Sequence, residues 1–164
     1  MDSRKLEHAR WILERQLHWI ATVETKTAVI LSIDTAMLGA LAVAYGDVAA
    51  NQRTAWCVVL TILAAIPLAV SIVYGALAVR PQTDGPKTSF IFFGRIKDLS
   101  TDKYRYEFVA ASDDALLNDC LAQVHRNAEI ANHKYKRIGS SMKLAFFGLP
   151  IWLIAVGMLV AARS

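Results

Sequence analysis

Asp34, the amides Gln123 and Asn127, and the cations around them are the side chains whose types and spacing point to chemistry. Asp34 lies six residues after Ala28, inside an apolar stretch. A carboxylate in hydrocarbon is costly, so it faces a bundle interior or water. Its other reading is a hydrated acid near the membrane surface. Gln123, Asn127 and Lys134 share one side of a helical segment, with Arg126, His133 and Arg137 near them. Amides can read a base edge, and Lys or Arg can hold a phosphate. The same residues also make an ordinary solvated helix face. The histidines are His8, His18, His125 and His133, and the last two are too far apart to share a metal without other ligands. Cys57 and Cys120 give neither a disulfide framework nor a zinc spacing. A glycine-rich phosphate loop, Cys-x-x-Cys, His-Glu-x-x-His and a nucleophile elbow are all absent from the sequence. The expectation is a protein that is not an enzyme, with no catalytic residue, no metal and no cofactor.

The elements that must position these residues are largely apolar. The chain has 164 residues, 55% hydrophobic, with a mean hydropathy of +0.35. The excess is concentrated in residues 28–46, 55–79 and 144–162. Each stretch reaches the ~18–20 residues that cross a bilayer as a helix. The sequence therefore predicts an all-α membrane protein with three transmembrane helices. Residues 1–27 are charged and amphipathic, unlike a signal peptide. Leu6, Leu13, Leu17 and Ile20 share one stripe there, and no Gly or Pro interrupts the chain before Gly39. A cytoplasmic helix over 1–27 is expected to run directly into the first span.

Of 18 Lys and Arg residues, five precede the first span and eleven lie between the second and third, leaving Arg53 and Arg163. This asymmetry predicts a cytoplasmic N-terminus and 80–143 segment, with the 47–54 linker and C-terminus periplasmic. Topology then accounts for most of the pI of 9.2. The basic side suits anionic lipid or an anionic ligand better than nucleic acid.

Pro67 falls mid-span, where it gates or merely kinks the helix. Gly139-Ser140-Ser141 and Gly148 with Pro150 are two weak points in the last helix, and Asp34, Pro67 and Pro150 are the candidate membrane or gating residues. After the Arg80–Lys87 loop, the run Ser89-Phe90-Ile91-Phe92-Phe93-Gly94 should pack on helices or lie at the lipid interface. Ser112 with Asp113 and Asp114 opens a helix. Leu117, Leu121, Val124, Ala128, Ala131, Tyr135, Ile138 and Met142 then follow a heptad seam. The first and last helices thus continue from the membrane into a cytoplasmic helical stalk. Each needs a partner, in the same chain or another copy. Ala36, Ala40 and Ala44 form a small-residue stripe suited to self-association.

Three runs, in this order around three spans, carry a resemblance that covers most of the chain. They are Trp11…Leu17-His18-Trp19-Ile20, Phe90-Ile91-Phe92-Phe93-Gly94-Arg95-Ile96, and Gln123…Asn127-Ala128-Glu129-Ile130-Ala131…Lys134-Tyr135. Together they resemble the transmembrane effector of bacterial Pycsar antiphage systems. Asp34 departs from the pattern, which has a neutral residue, often Asn, near that position. The resemblance implies a defence effector of the inner membrane. A partner pyrimidine nucleotide cyclase senses infection and makes cyclic UMP or cyclic CMP. The effector responds by impairing inner-membrane integrity, and the cell dies before the phage matures. The expected partners are that cyclic nucleotide, the cyclase, inner-membrane lipids and further copies of the chain. On this reading Arg95, Gln123, Asn127, Lys134 and Arg137 line the ligand site, and Phe93 or Tyr135 stacks on the base. The competing reading is a non-enzymatic membrane anchor whose helical stalk recruits a partner protein.

Overall fold

A computed structural model describes residues 3–163, so positions 1, 2 and 164 of the expected terminal segments lie outside it. The described residues form five α-helices and no strand: α1 (Ser3–Gly46), α2 (Ala55–Val79), α3 (Phe93–Ile96), α4 (Thr101–Ala110) and α5 (Asp113–Arg163). A single 3₁₀ turn, Ala50–Gln52, lies between α1 and α2. Helices α1, α2 and α5 are each long and apolar enough to cross a bilayer. The protein is an all-helical membrane protein, and α1 and α5 run unbroken well beyond their apolar stretches.

The helix starts follow local chemistry. Thr54 caps α2 by accepting from the Cys57 N–H at 3.3 Å. Ser100 caps α4, and Ser112 accepts the Ala115 N–H at 3.2 Å at the start of α5. Each hydroxyl satisfies one of the N–H groups that a helix start leaves without a partner. The expected weak point at Gly139-Ser140-Ser141 does not interrupt α5. Ser140 donates back to the Lys136 carbonyl, sharing that acceptor with the helix ladder without breaking it, and Ser141 meets Ser71 of α2. Pro67 and Pro150 likewise lie inside continuous helices.

The chain divides into two compact units: residues 1–23 with 81–133, and residues 24–80 with 134–164. In the second unit the three spans pack through small residues. The buried positions of α2 are Cys57, Ala64, Pro67, Leu68, Ser71, Gly75 and Ala78, at alternating helical spacing. Lipid is as apolar as leucine, so close backbone approach, rather than escape from water, holds spans together. Gly75 shows how close that approach is: a Cβ there would lie 2.7 Å from Leu31 Cδ2. Pro67 packs against Gly148, where an added Cβ would stand 3.2 Å from Pro67 Cγ. Pro150 is exposed. At one end of the unit, Leu41, Val48, Cys57, Ala64, Ala155 and Leu159 form the apolar core. Arg163 pairs with Asp47 at 2.7 Å, and the Arg53 guanidinium lies over the Tyr45 ring.

The first unit is built differently. Its loop Pro81–Phe92 and helices α3 and α4 are fixed by side chains reaching backbone groups. Asp119 accepts the Phe90 N–H at 2.6 Å, and the Tyr104 hydroxyl donates to the Phe90 carbonyl at 2.9 Å. Ser89 accepts the N–H groups of Ile91 and Phe92. The backbone of the aromatic run is thus tied to α4 and α5, with Phe90 and Phe92 half-buried and Ile91 and Phe93 exposed.

Candidate functional site

The buried stripe of α5 coincides with the heptad seam at Ala131 and Ile138 and departs from it by one residue elsewhere. Val124, Tyr135 and Met142 give way to Gln123, Lys134 and Ser141 on the buried face, while Leu121, Tyr135 and Met142 stay exposed. In the first unit Asp119 accepts the Phe90 N–H of the loop and Gln123 meets the Ser89 hydroxyl. In the second unit Lys134 donates to the Ala78 carbonyl and Ser141 meets Ser71. An apolar seam could not make these bonds. On α1, Asp34 falls on the inward stripe, whereas Ala36 and Ala40 point outward.

The polar face of α5 borders a cleft of about 290 Å³ in the first unit. Leu13 and Leu17 of α1 form one wall, and Phe92 and Phe93 another. Gln123, Asn127 and Arg126 reach it from α5, and Gln82 and Asp84 from the loop. Its volume is at the small end of the ~300–1,000 Å³ typical of small-molecule sites.

The amides present complementary groups there. Asn127 Nδ2 donates to the Gln123 carbonyl at 2.9 Å, which leaves Asn127 Oδ1 for a ligand donor. Gln123 Nε2 lies 3.0 Å from Ser89 Oγ, which already accepts two backbone N–H groups. Three donors exceed the two lone pairs of one hydroxyl. Turning the Gln123 amide over resolves this: Ser89 then donates to the amide oxygen, and the NH₂ is released. One donor and one acceptor, a helical turn apart, result.

The walls depend on two close approaches. The Phe92 ring lies between Gly85 and Gly94, and a Cβ on either glycine would come within 2.6 Å of a ring carbon. On the far side of that ring a second cavity of about 210 Å³ is lined by Gly85, Lys87, Gly94 and Arg95. Arg95 donates to Glu107 at 2.7 Å, and this hydrogen bond holds the Glu107 carboxyl below its usual range. The other terminal nitrogen of Arg95, Nη1, is buried and has no protein partner. Arg126 donates to the Asp84 carbonyl at 3.0 Å and to Glu129 at 3.1 Å.

Of the seven residues expected at the ligand site, Phe93, Gln123 and Asn127 line the one cleft, and Arg95 lines the cavity behind Phe92. Lys134, Tyr135 and Arg137 belong to the second unit. Lys134 is buried, with Nζ 2.8 Å from Glu24 and 2.9 Å from the Ala78 carbonyl. Arg137 donates to the Leu77 carbonyl at 2.6 Å. Both cations cap the C-terminal end of α2, where helix carbonyls lack partners and the dipole favours positive charge. Tyr135 is exposed.

Ser89, Asp119, Phe92 and Gln82 were not singled out as site residues by sequence reasoning. Asp119 was legible as the first member of the Asp119–Gln123–Asn127 spacing, and Ser89 as a turn hydroxyl ahead of an aromatic run. The cysteines are free and buried, and burial pushes the Cys120 thiol up, away from the thiolate form. Among the described residues no cluster of His, Cys, Asp and Glu could hold a metal.

The profile of the Pycsar effector protein domain matches residues 8–161. A Pycsar effector protein from Propioniciclava tarda is 27% identical over 170 aligned residues, covering 96% of this chain and 82% of that one. A Pycsar effector protein from Gulbenkiania mobilis is 29% identical over 77 residues, covering 47% of this chain and 39% of its own. No solved structure matches the chain.

Proposed function

The chain belongs to the Pycsar effector protein family, and from that premise we propose that it is a membrane effector of antiphage defence switched on by a cyclic pyrimidine nucleotide. The nucleotide, cyclic UMP or cyclic CMP, comes from a partner cyclase. The active effector impairs the inner membrane and ends the infection by killing the cell. In this reading the N-terminus and residues 80–143 face the cytoplasm, the C-terminus faces the periplasm, and several copies assemble in the inner membrane. The exposed small residues Ala36 and Ala40, and the exposed Tyr135 and Met142 of the α5 seam, supply faces for that assembly.

The observation that carries the reading is the cleft beside Gln123 and Asn127. Uracil and cytosine each present an adjacent donor and acceptor, which the released NH₂ of Gln123 and the Asn127 oxygen match. Phe93, with an exposed ring, stacks on the base. The single negative charge of the cyclic phosphate goes to Arg126 or to Arg95, whose Nη1 has no other partner. Lys134 and Arg137 could take that role only by leaving their carbonyl and carboxylate partners. A ligand activates only by binding the active arrangement more tightly than the resting one.

The test is calorimetric titration of the detergent-purified full chain with cyclic UMP and cyclic CMP. One nucleotide should bind, and Asn127→Ala should weaken it about tenfold, or ~1.4 kcal/mol. Failure of both nucleotides to bind overturns the functional reading. Binding that Asn127→Ala leaves unchanged removes the cleft as the site. Liposomes carrying the protein should release a trapped dye when the bound nucleotide is added, and a mere anchor would release none.

A further inference from the structure

Asp34 is fully buried among the three spans, and it meets no cation. Its Oδ2 lies 2.5 Å from Ser71 Oγ on α2. Ser71 Oγ is in turn 2.9 Å from both the carbonyl and the hydroxyl oxygen of Ser141 on α5. Ser71 and Ser141 are themselves fully buried. Three short contacts therefore converge on one hydroxyl.

The hydrogens decide what Asp34 is. An ionised Asp34 leaves two hydrogens in the cluster, those of Ser71 and Ser141, for three contacts. Ser141 can donate to Ser71. Ser71 can then donate to Asp34 or to the Ser141 carbonyl, but not to both. The remaining pair would be two acceptors pressed together without a proton. A neutral Asp34 supplies the third hydrogen. Asp34 donates to Ser71, Ser71 donates to the Ser141 carbonyl, and Ser141 donates to the second lone pair of Ser71. Every contact then has its proton, and distances of 2.5–2.9 Å suit O–H···O bonds. They leave no room for a metal ion among the oxygens.

The surroundings agree. Asp34 Oδ1 is buried with no partner, tolerable for the carbonyl of an acid but severe for half of a carboxylate. An apolar groove of about 150 Å³ reaches Asp34 between α1 and α5. Ile30, Ile33, Met37, Met142 and Phe146 line it without offering the polar partners that an ordered water needs. The ion pairs of this unit, Lys134–Glu24 and Arg163–Asp47, do not involve Asp34. Tyr74 on α2 and Lys143 on α5 have exposed side chains, and neither hydrogen-bonds to it.

We propose that Asp34, Ser71 and Ser141 form a proton-binding site inside the membrane, occupied in this packing, with Asp34 as the carboxylic acid that ties α1 to α2 and through Ser71 to α5. The ligand is a single proton. Its loss would leave an uncompensated charge among three close-packed helices, so the proton is part of what holds the spans in this arrangement.

Infrared spectroscopy of the full chain in lipid nanodiscs reads the site directly. The wild type should show a carboxylic-acid carbonyl band that Asp34→Asn lacks. Asn keeps a neutral donor toward Ser71, so that variant should fold. Ser71→Ala provides a second reading, because removing the acceptor frees the Asp34 hydroxyl and should move the band to higher frequency. A wild-type spectrum differing from Asp34→Asn only by carboxylate bands overturns the proposal. So does an acid band that does not move in Ser71→Ala.

Discussion

The two units of the chain solve opposite problems with opposite residues. Around α2, the spans meet through Ala64, Ser71, Gly75 and Ala78, which are small enough for backbones to approach. There a mistake is a matter of volume. In the unit that carries the cleft, Asp119, Ser89 and Tyr104 reach out to a loop backbone that has no ladder of its own. There a mistake is a matter of hydrogen bonds. A lipid-facing unit cannot leave backbone groups without partners, so it uses helices alone. The first unit carries irregular chain, and that irregular chain shapes its cleft.

Volume changes in the span unit should have the largest effect. Gly75→Leu places atoms where Leu31 already lies, and overpacking of this kind costs up to about 3 kcal/mol. The expected result is a lower detergent-unfolding midpoint together with weaker dye release. An unchanged midpoint would show that α1 and α2 can separate at little cost, and the contrast between the units would fail. The matching change in the other unit is Asp119→Ala, which strips the Phe90 N–H of a charged acceptor at a cost of about 2 kcal/mol. Hydrogen exchange should then quicken at residues 89–93, with the amides of α2 unaffected. Exchange quickening equally in α2 would show that the two units open together.

These contrasts also explain what could be read from residues alone. That the chain forms three helices long and apolar enough to span a bilayer was legible because hydropathy needs no knowledge of neighbours. The continuity of α1 was legible because nothing in its first turns breaks a helix. The inward face of α5 was legible only at Ala131 and Ile138. Its apolar seam and its polar stripe lie one residue apart, about 100° around the helix, and each looks like a core face in isolation. Partners distant in sequence select the polar one: Asp119 accepts the Phe90 N–H, Lys134 reaches the Ala78 carbonyl and Ser141 meets Ser71. Gln123 and Asn127 stood out by their amides, and both line the cleft. Phe92 was hidden among three apolar neighbours, and its distinction comes from two glycines at positions 85 and 94. Lys134 and Arg137 looked like ligand cations because their partners are carbonyls of α2, distant in sequence.

The smallest expected effect separates an exposed ion pair from the buried bonds around it. Arg95 and Glu107 are partly exposed, and Arg95 holds the Glu107 carboxyl below its usual range. Between the folded value and the ordinary value of 4.5, the unfolded chain binds the proton and the folded chain does not. The pair therefore contributes stability above pH 4.5, which is lost as the pH falls through the folded value. Water screens the pair, so its loss should move the unfolding midpoint only slightly. Glu107→Gln removes the titrating group while keeping an acceptor for Arg95. The difference in midpoint between wild type and Glu107→Gln should be nearly constant from pH 5 to 8 and shrink on further acidification. A difference that grows on acidification would mean that Glu107 is held protonated, and that Arg95 is not its main partner. Arg95 would then be fully available to an anion, and the cavity behind Phe92, rather than Arg126, would be the stronger seat for the phosphate.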